Sequence, residues 1–270
     1  VLRQGLSEIG NEKLYQEMEN PLVRVLAKME HFGIGIDRQA LTSIRDRLTE
    51  ETVSLTKSLH LIIGREFNVN SPTQLREILY TEHGLTPGKK TKTGFSTDAA
   101  TLEKLHDAWP EFIGPLLRFR EVEKLRSTYG EGLLSEVAED DRIHATFNQT
   151  VARTGRLSSD QPNLHNIPVR TDEGRVFRTA FTAGDGCSLL VADYNQIELR
   201  CIAHLAADPG LISAFAAGED IHQATASRVF GVKPDKVTHE QRSKAKMVSY
   251  GLAYGMEAYG LSQRLAIGVD

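Results

Sequence analysis

The period of the apolar residues changes twice along this chain, and that limits the folds open to it more than any other feature. From residue 14 to about residue 60 apolar side chains recur every three or four positions, as in Leu22, Val25, Leu26 and Met29, the spacing of one helix face. Gly33-Ile34-Gly35 interrupts the run, and Asp37 is placed to cap a longer amphipathic helix through Leu41, Ile44, Leu48 and Leu55. Asn70-Ser71-Pro72 predicts a further helix start, with Ser71 as cap and Pro72 in the first turn. A helix pair over residues 102–109 and 113–129 follows and is expected to stop at Gly130. Near residue 142 the period becomes two. Residues 142–151 alternate Ile143, Ala145 and Phe147 and read as a strand. Residues 177–182 and 188–193 flank Gly184-Asp185-Gly186, whose Asp-Gly is a hairpin signal. The run Leu189-Leu190-Val191-Ala192 predicts a strand buried on both faces. Helical spacing returns over residues 196–207, 211–217 and 222–230, and a final helix is expected from Thr238, which forms a capping box with Gln241. Helices, a small antiparallel sheet and helices again make an α+β fold rather than a doubly wound one.

Composition narrows the class. The 270 residues carry 32 Lys plus Arg against 36 Asp plus Glu, a net charge of -4, with 25% charged and 40% apolar residues. That balance excludes a collagen-like fibre and a disordered tail, and the length fits one large domain or two smaller ones. No apolar stretch approaches the roughly 18 residues that span a bilayer, so no membrane partner is expected. The charged start VLRQGLSEIGNEK is unlike a signal peptide, so a cytoplasmic location is expected. Cys187 and Cys201 read as free thiols in a reducing compartment; with His204 they lack paired metal spacing and are expected in apolar core surroundings. The acidic total argues only weakly against nucleic acid, because binding follows the local field.

Several segments carry chemistry of two possible kinds. The loop from Pro87 to Gly94, with Lys89, Lys90 and Lys92, is either a solvated turn or a flexible cationic loop for a polyanion. Asp193, at the end of the predicted buried strand, could hold a hard cation such as Mg²⁺ or cap the next helix. Glu198 is either a second acid at that site or a solvated helix residue. Arg242, Lys246 and Tyr250 stand four residues apart on the last predicted helix, and Tyr254 extends the stripe. Two cations one turn apart suit phosphates and an aromatic beyond them suits a base, although such a stripe can also be a solvated face. Gly251 in that helix admits a close backbone approach. Arg153-Thr154-Gly155-Arg156-Leu157-Ser158-Ser159, continued by Asn163-Leu164-His165-Asn166-Ile167-Pro168-Val169-Arg170, is rich in donors for phosphate, sugar or minor groove, or is a hydrogen-bonded connector. No Walker loop and no strand-associated Gly-x-Gly-x-x-Gly occurs.

Three of these segments, in this order, resemble the polymerase region of the bacterial DNA polymerase I family, family A. Thr154–Ser159 with Pro162-Asn163-Leu164-His165-Asn166-Ile167-Pro168 is similar to its template- and primer-binding segment. Asp193-Tyr194-Asn195-Gln196-Ile197-Glu198-Leu199-Arg200 is similar to motif A, and the stretch from Arg242 to Gly255 to motif B. The resemblance implies a right-hand architecture: residues 1–33 associated with the palm, 34–135 a helical thumb, 136–215 a small antiparallel palm sheet with motif A, and 216–270 helical fingers with motif B. It implies a DNA-directed DNA polymerase, a nucleotidyltransferase of replication and repair, working as a monomer with primer-template DNA, dNTP and two Mg²⁺ ions. Asp193 would bind metal and act with Lys246 in catalysis; Arg242, Lys246 and His222 would hold the triphosphate, Tyr250 would stack near sugar and base, and Glu198 would exclude a ribose 2′-hydroxyl. Gln196, His165 and Arg170 would line the duplex beside the nucleotide, Arg156 and Asn163 the primer end, Tyr254 and Gly251 the template base, and Lys89, Lys90 and Lys92 the duplex backbone. Tyr250 stands where many members have Phe, which implies tolerance of a sugar lacking its 3′-hydroxyl. The His-Asp-Glu of the family's motif C does not occur in these 270 residues, and His106-Asp107 precedes motif A and is followed by Ala108. The alternative implied is a DNA- and dNTP-binding fragment without turnover.

Overall fold

The three- and four-residue spacing of the first half folds as a succession of helices. In the computed structural model, which describes residues 2–88, 90–92, 94–168 and 171–265, these are α1 (Leu2–Glu8), α2 (Glu12–Leu14), α3 (Asn20–Phe32), α4 (Arg38–Ile63), α5 (Pro72–Arg76), α6 (Ala99–Leu105), α7 (Pro110–Leu125), α8 (Gly132–Ser135) and α9 (Asp172–Arg178). Wide π turns at Tyr15–Glu19, Glu77–Glu82 and Arg126–Glu131 continue the helices they adjoin. Among the described residues seven short strands intervene: β1 (Ile34–Ile36), β2 (Lys90–Thr91), β3 (Gly94–Phe95), β4 (Arg142–Ile143), β5 (Thr146–Asn148), β6 (Ser158–Asp160) and β7 (Phe181–Thr182). Every pairing is antiparallel, in a sheet ordered β4-β1-β7 and two hairpin-like pairs, β2-β3 and β5-β6. The chain divides into two compact units, Val1–Leu189 and Leu190–Asp270.

The first unit is built on α4 and α7. Asp37 has an extended backbone and its carboxylate accepts the Ala40 N–H at 2.8 Å, so the predicted cap is the observed one. Ser71 caps α5 in the same way through Gln74 N. Along one stretch of α4, Leu41, Ile44 and Leu48 pack with Val122, Leu125, Tyr129 and Leu133 and with Ile143 and Phe177. Farther along, Leu59 joins Leu75, Ile78, Leu102, Phe112, Ile113 and Leu116. The start of α4 therefore meets the end of α7 and the reverse, an antiparallel pair with a core at each end. Because Asn caps as well as Asp, Asp37→Ala should cost about 0.5–2 kcal/mol and Asp37→Asn almost nothing. Thermal melts by circular dichroism would show a midpoint a few degrees lower for the alanine variant alone, and equal loss in both would exclude capping as the cause.

Gly33 joins α3 to β1 with φ 63° and ψ -174°. A Cβ there would lie 2.8 Å from the Ile143 carbonyl oxygen and 2.9 Å from the His144 ring. The register Ile34↔Ile143 and Gly35↔Thr182 is thus set against bare backbone.

Several expected elements differ. The helix does not stop at Gly130 but passes through it to Ser135, because Gly130 is a packing site: a Cβ there would lie 3.2 Å from Arg45 Cβ. The strand predicted over residues 142–151 is split at His144-Ala145 into β4, which pairs with β1, and β5, which pairs with β6. Phe177 belongs to α9, where it is fully buried, rather than to a strand. Asp185-Gly186 does turn, with Cys187 N–H donating to Gly184 O at 2.9 Å, but β7 pairs with β1 and not across the turn. Residues 188–193 form no strand among the described residues, and Leu190 and Val191 are 91% and 90% exposed. Hydropathy states what a segment can bury; burial also needs neighbouring strands, and none pairs with this run among the described residues. Cys187 and Cys201 are free, but both are exposed, as is His204, so the core surroundings expected for them are not found.

The second unit contains α10 (Ile197–Leu205), α11 (Pro209–Ala216), α12 (Ile221–Phe230), α13 (His239–Ala253) and α14 (Ala258–Leu265). The helix from Thr238 is therefore followed by one more. Its few buried side chains include Leu199, Ala203, Ile221, His222, Ala226 and Ala245. Asp208 and Asp220 cap α11 and α12, and the capping box at α13 is complete: Gln241 N–H donates to Thr238 Oγ1 at 3.2 Å and Thr238 N–H to Gln241 Oε1 at 2.9 Å.

Candidate functional site

The box at Thr238 sets α13 in register, and from it Arg242, Lys246 and Tyr250 follow one another turn by turn. α13 packs on α12, whose first turn is organised by Asp220. One Asp220 oxygen accepts the N–H groups of His222 and Gln223 at 3.0 and 3.1 Å; the other accepts Arg242 Nε at 2.8 Å. Burial works to raise the Asp220 carboxyl, but the Arg242 hydrogen bond and charge and the two backbone donors outweigh it and hold its pKa below the ordinary value. His222 is 2% exposed and its ring centroid lies 5.9 Å from that of Tyr250. Burial first, then the charges of Arg242 and Lys246, push its pKa down against the pull of Asp220, so the imidazole is neutral at pH 7. Its Nδ1 has no hydrogen-bond partner among the described residues. Lys246 is exposed and Tyr250 half-buried. The result is a buried neutral histidine, a guanidinium held by a carboxylate, an exposed ammonium one turn on and an aromatic ring, which together suit an anionic group joined to a planar one.

Tyr254 follows the last residue of α13, and its hydroxyl donates to Glu198 Oε2 in the first turn of α10 at 2.8 Å. Gln196, directly before α10, has φ 53° and ψ 36°, a left-handed conformation that few non-glycine residues adopt. Arg200 secures this corner, donating from Nε to Asn195 O at 3.0 Å and stacking its guanidinium 4.4 Å from the Phe215 ring centroid. Gly251 is buried, but the close approach it permits is made by the chain itself: a Cβ there would lie 3.2 Å from Met256 Sδ and from Leu261 Cδ2. Asp193 is exposed and outside any strand, so the rigid strand end expected beneath it is not found. A hard cation wants about six oxygen ligands, and no group of three acidic, His or Cys side chains gathers to supply them among the described residues. Among the described residues, therefore, the protein ligands do not make a metal cage by themselves.

The remaining predicted residues belong to the first unit. Asn163 accepts the His165 N–H at 3.1 Å and so caps the short turn Leu164–Asn166. Buried Ser159 donates to Pro162 O and accepts the Leu164 N–H, and buried Tyr129 donates to Asn166 O, fixing the loop from both sides. Asn163 and His165 are thereby exposed on a rigid backbone, and Arg156 is exposed on the turn before β6. His165 borders a cleft of about 470 Å³ together with Lys124, Tyr129 and Pro168. Lys90 and Lys92 are exposed on the β2-β3 ribbon, which is anchored by Phe95 edge-on to Tyr80 and by the Tyr80 hydroxyl on Ser96 O at 2.6 Å. Lys89 and Arg170 lie outside the described residues. Sequence reasoning missed Asp220 and Tyr129 as organisers; Asp220 has a legible N-cap position, but its partner is 22 residues away.

The sequence profile of DNA polymerase family A matches residues 38–270. The chain belongs to that family. This family A chain is 50% identical over 267 residues to DNA polymerase I of Mycobacterium tuberculosis, which covers 98% of the chain and 29% of that protein. It is 44% identical over 268 residues to DNA polymerase I of Bacillus subtilis, covering 98% of the chain and 30% of the relative. The chain thus spans under a third of the length of these curated relatives. Among solved structures, the POL domain of Pol1 from M. smegmatis, in complex with DNA primer-template and dNTP, superposes with a TM-score of 0.92 at 46% identity over 99% of this family A chain and 47% of that one. Among the described residues no helix is long and apolar enough to cross a membrane.

Proposed function

We propose that this chain is polymerase-region sequence of a template-directed DNA polymerase of the bacterial cytoplasm, acting as a monomer on primer-template DNA and dNTP. The observation that carries the reading is the meeting of Asp220, His222, Arg242 and Tyr250 on α12 and α13, with Lys246 on the same stripe. In this reading residues 34–135 are thumb, 1–33 and 136–215 palm, and 216–270 fingers. Arg242, Lys246 and His222 receive the triphosphate, Tyr250 faces sugar and base, and Gln196 and Glu198 border the nucleotide, with Glu198 steadied by Tyr254. Arg156, Asn163, His165, Arg170, Lys89, Lys90 and Lys92 meet the duplex, and Tyr254 with Gly251 the template base. Mg²⁺ usually binds through one or two carboxylates plus substrate phosphates, and Asp193 is the carboxylate offered here. Two-metal phosphoryl transfer needs more than one carboxylate, and no group of three acidic, His or Cys side chains gathers among the described residues, so no step of it is assigned to these residues.

The test is a paired binding and extension assay on the 270-residue chain. Primer-template duplex should bind, weakening steeply with salt as displaced counterions compete. Mg²⁺-dATP should bind, and primer extension should be undetectable. Binding of neither duplex nor nucleotide would sink the polymerase reading. Robust extension would show that the missing motif is not needed and favour turnover over the second reading, a DNA- and dNTP-binding fragment.

A further inference from the structure

We infer that Asp220 is a positioning residue for nucleotide binding: it holds the Arg242 guanidinium in the orientation that meets phosphate. The inference rests on the triphosphate reading above and adds to it a residue which that reading leaves without a role. Asp220 faces two ways. Through Oδ1 it caps α12 by accepting from His222 N and Gln223 N, and through Oδ2 it takes Nε of Arg242 from the neighbouring α13. The pair is partly shielded, with side chains 34% and 40% exposed. Nε is the donor nearest the side-chain stem, so fixing it fixes the plane of the whole group, while Nη1 and Nη2 have no hydrogen-bond partner among the described residues. An arginine so held presents its outer fork without first losing its rotamer freedom, the usual gain of preorganisation. The same carboxylate sets the backbone of His222, so one side chain aligns two of the groups assigned to the triphosphate.

Asp220→Asn separates the two duties, because Asn caps a helix as well as Asp does but carries no charge for Arg242. The experiment titrates the 270-residue chain with Mg²⁺-dATP and with deoxyadenosine. Asp220→Asn should weaken dATP about three- to tenfold and leave deoxyadenosine, helical content and the thermal midpoint unchanged. In an Arg242→Ala background the same substitution should have no further effect, since its target is gone. Arg242→Lys, which keeps the charge but not the fork, gives a second reading that does not depend on Asp220: it should also weaken dATP and be insensitive to Asp220→Asn. If Arg242→Ala weakens dATP while Asp220→Asn does not, the positioning role is wrong and the triphosphate reading stands. Tighter dATP binding by Asp220→Asn would overturn the role in favour of a carboxylate that competes with phosphate. If Arg242→Ala changes nothing, the triphosphate reading falls and the inference with it.

Discussion

Lys246→Ala is expected to weaken Mg²⁺-dATP binding by roughly 10- to 150-fold, the equivalent of about 1.5–3 kcal/mol for a hydrogen bond to a charged group. Lys246 is exposed, one turn beyond Arg242, on a helix whose register is set far from it by the Thr238 box. Among the described residues no hydrogen bond or ion pair of its own ties it to the fold, unlike Lys244, which pairs with Glu240 at 2.8 Å. Removing its charge should therefore leave the helix intact, so lost affinity reports on ligand and not on folding. Lys244→Ala is the matched control: it removes the same charge two residues away, from a neighbour pair worth only a few tenths of a kcal/mol to the helix, and should barely move dATP affinity. Calorimetric titration of both variants decides the matter. Equal affinities for Lys246→Ala and the unsubstituted chain would make the stripe a solvated face.

Gly33→Ala should destabilise the first unit by about 2–4 kcal/mol, visible as a lowered urea midpoint with unchanged slope. Two causes act together. The backbone at φ 63° and ψ -174° lies in a region essentially reserved for glycine, which costs an L-residue on the order of 1–3 kcal/mol. The new methyl would also stand 2.8 Å from the Ile143 carbonyl oxygen, a backbone atom already fixed in the β1-β4 ladder. Gly64, which ends α4 at φ 75° and ψ 9° with open space around it, lies in the milder left-handed region that other residues adopt, so it lacks both causes. Gly64→Ala should cost clearly less than Gly33→Ala, and an equal loss at the two sites would overturn the explanation.

What could be read from the sequence was whatever the chain encodes over one helical turn. Asp37, Ser71 and the Thr238–Gln241 box act within three residues, and all are found where they were expected. The Arg242, Lys246, Tyr250 stripe is likewise a matter of local phase, so the face proposed to meet phosphate is legible in the sequence. What failed depended on distant partners. Gly130 looked like a stop because nothing nearby reveals Arg45 pressed against it. Leu189 to Ala192 looked buried because apolarity does not say whether strands stand alongside. Gly251 looked like an opening for a ligand, yet Met256 and Leu261 from its own chain close it. Cys187 and Cys201 have apolar neighbours in sequence, yet both are exposed. The link from Asp220 to Arg242 spans 22 residues and two helices, so only the fold could show that one cap serves two ends.

The wide turn at Arg126–Glu131 has a bearing on descent. A π turn reaches one residue farther per hydrogen bond than an α turn, so it behaves as an insertion that a helix has absorbed without looping it out. Here it lies between Leu125 and Leu133, both seated in the same core, with Tyr129 and Gly130 buried within it. Either flank can keep its seat whether the turn is wide or narrow. A lineage can therefore gain or lose a residue at this point with little disturbance to packing, and an alignment that forbids gaps inside helices will place its homologous positions one step out of phase from here onward.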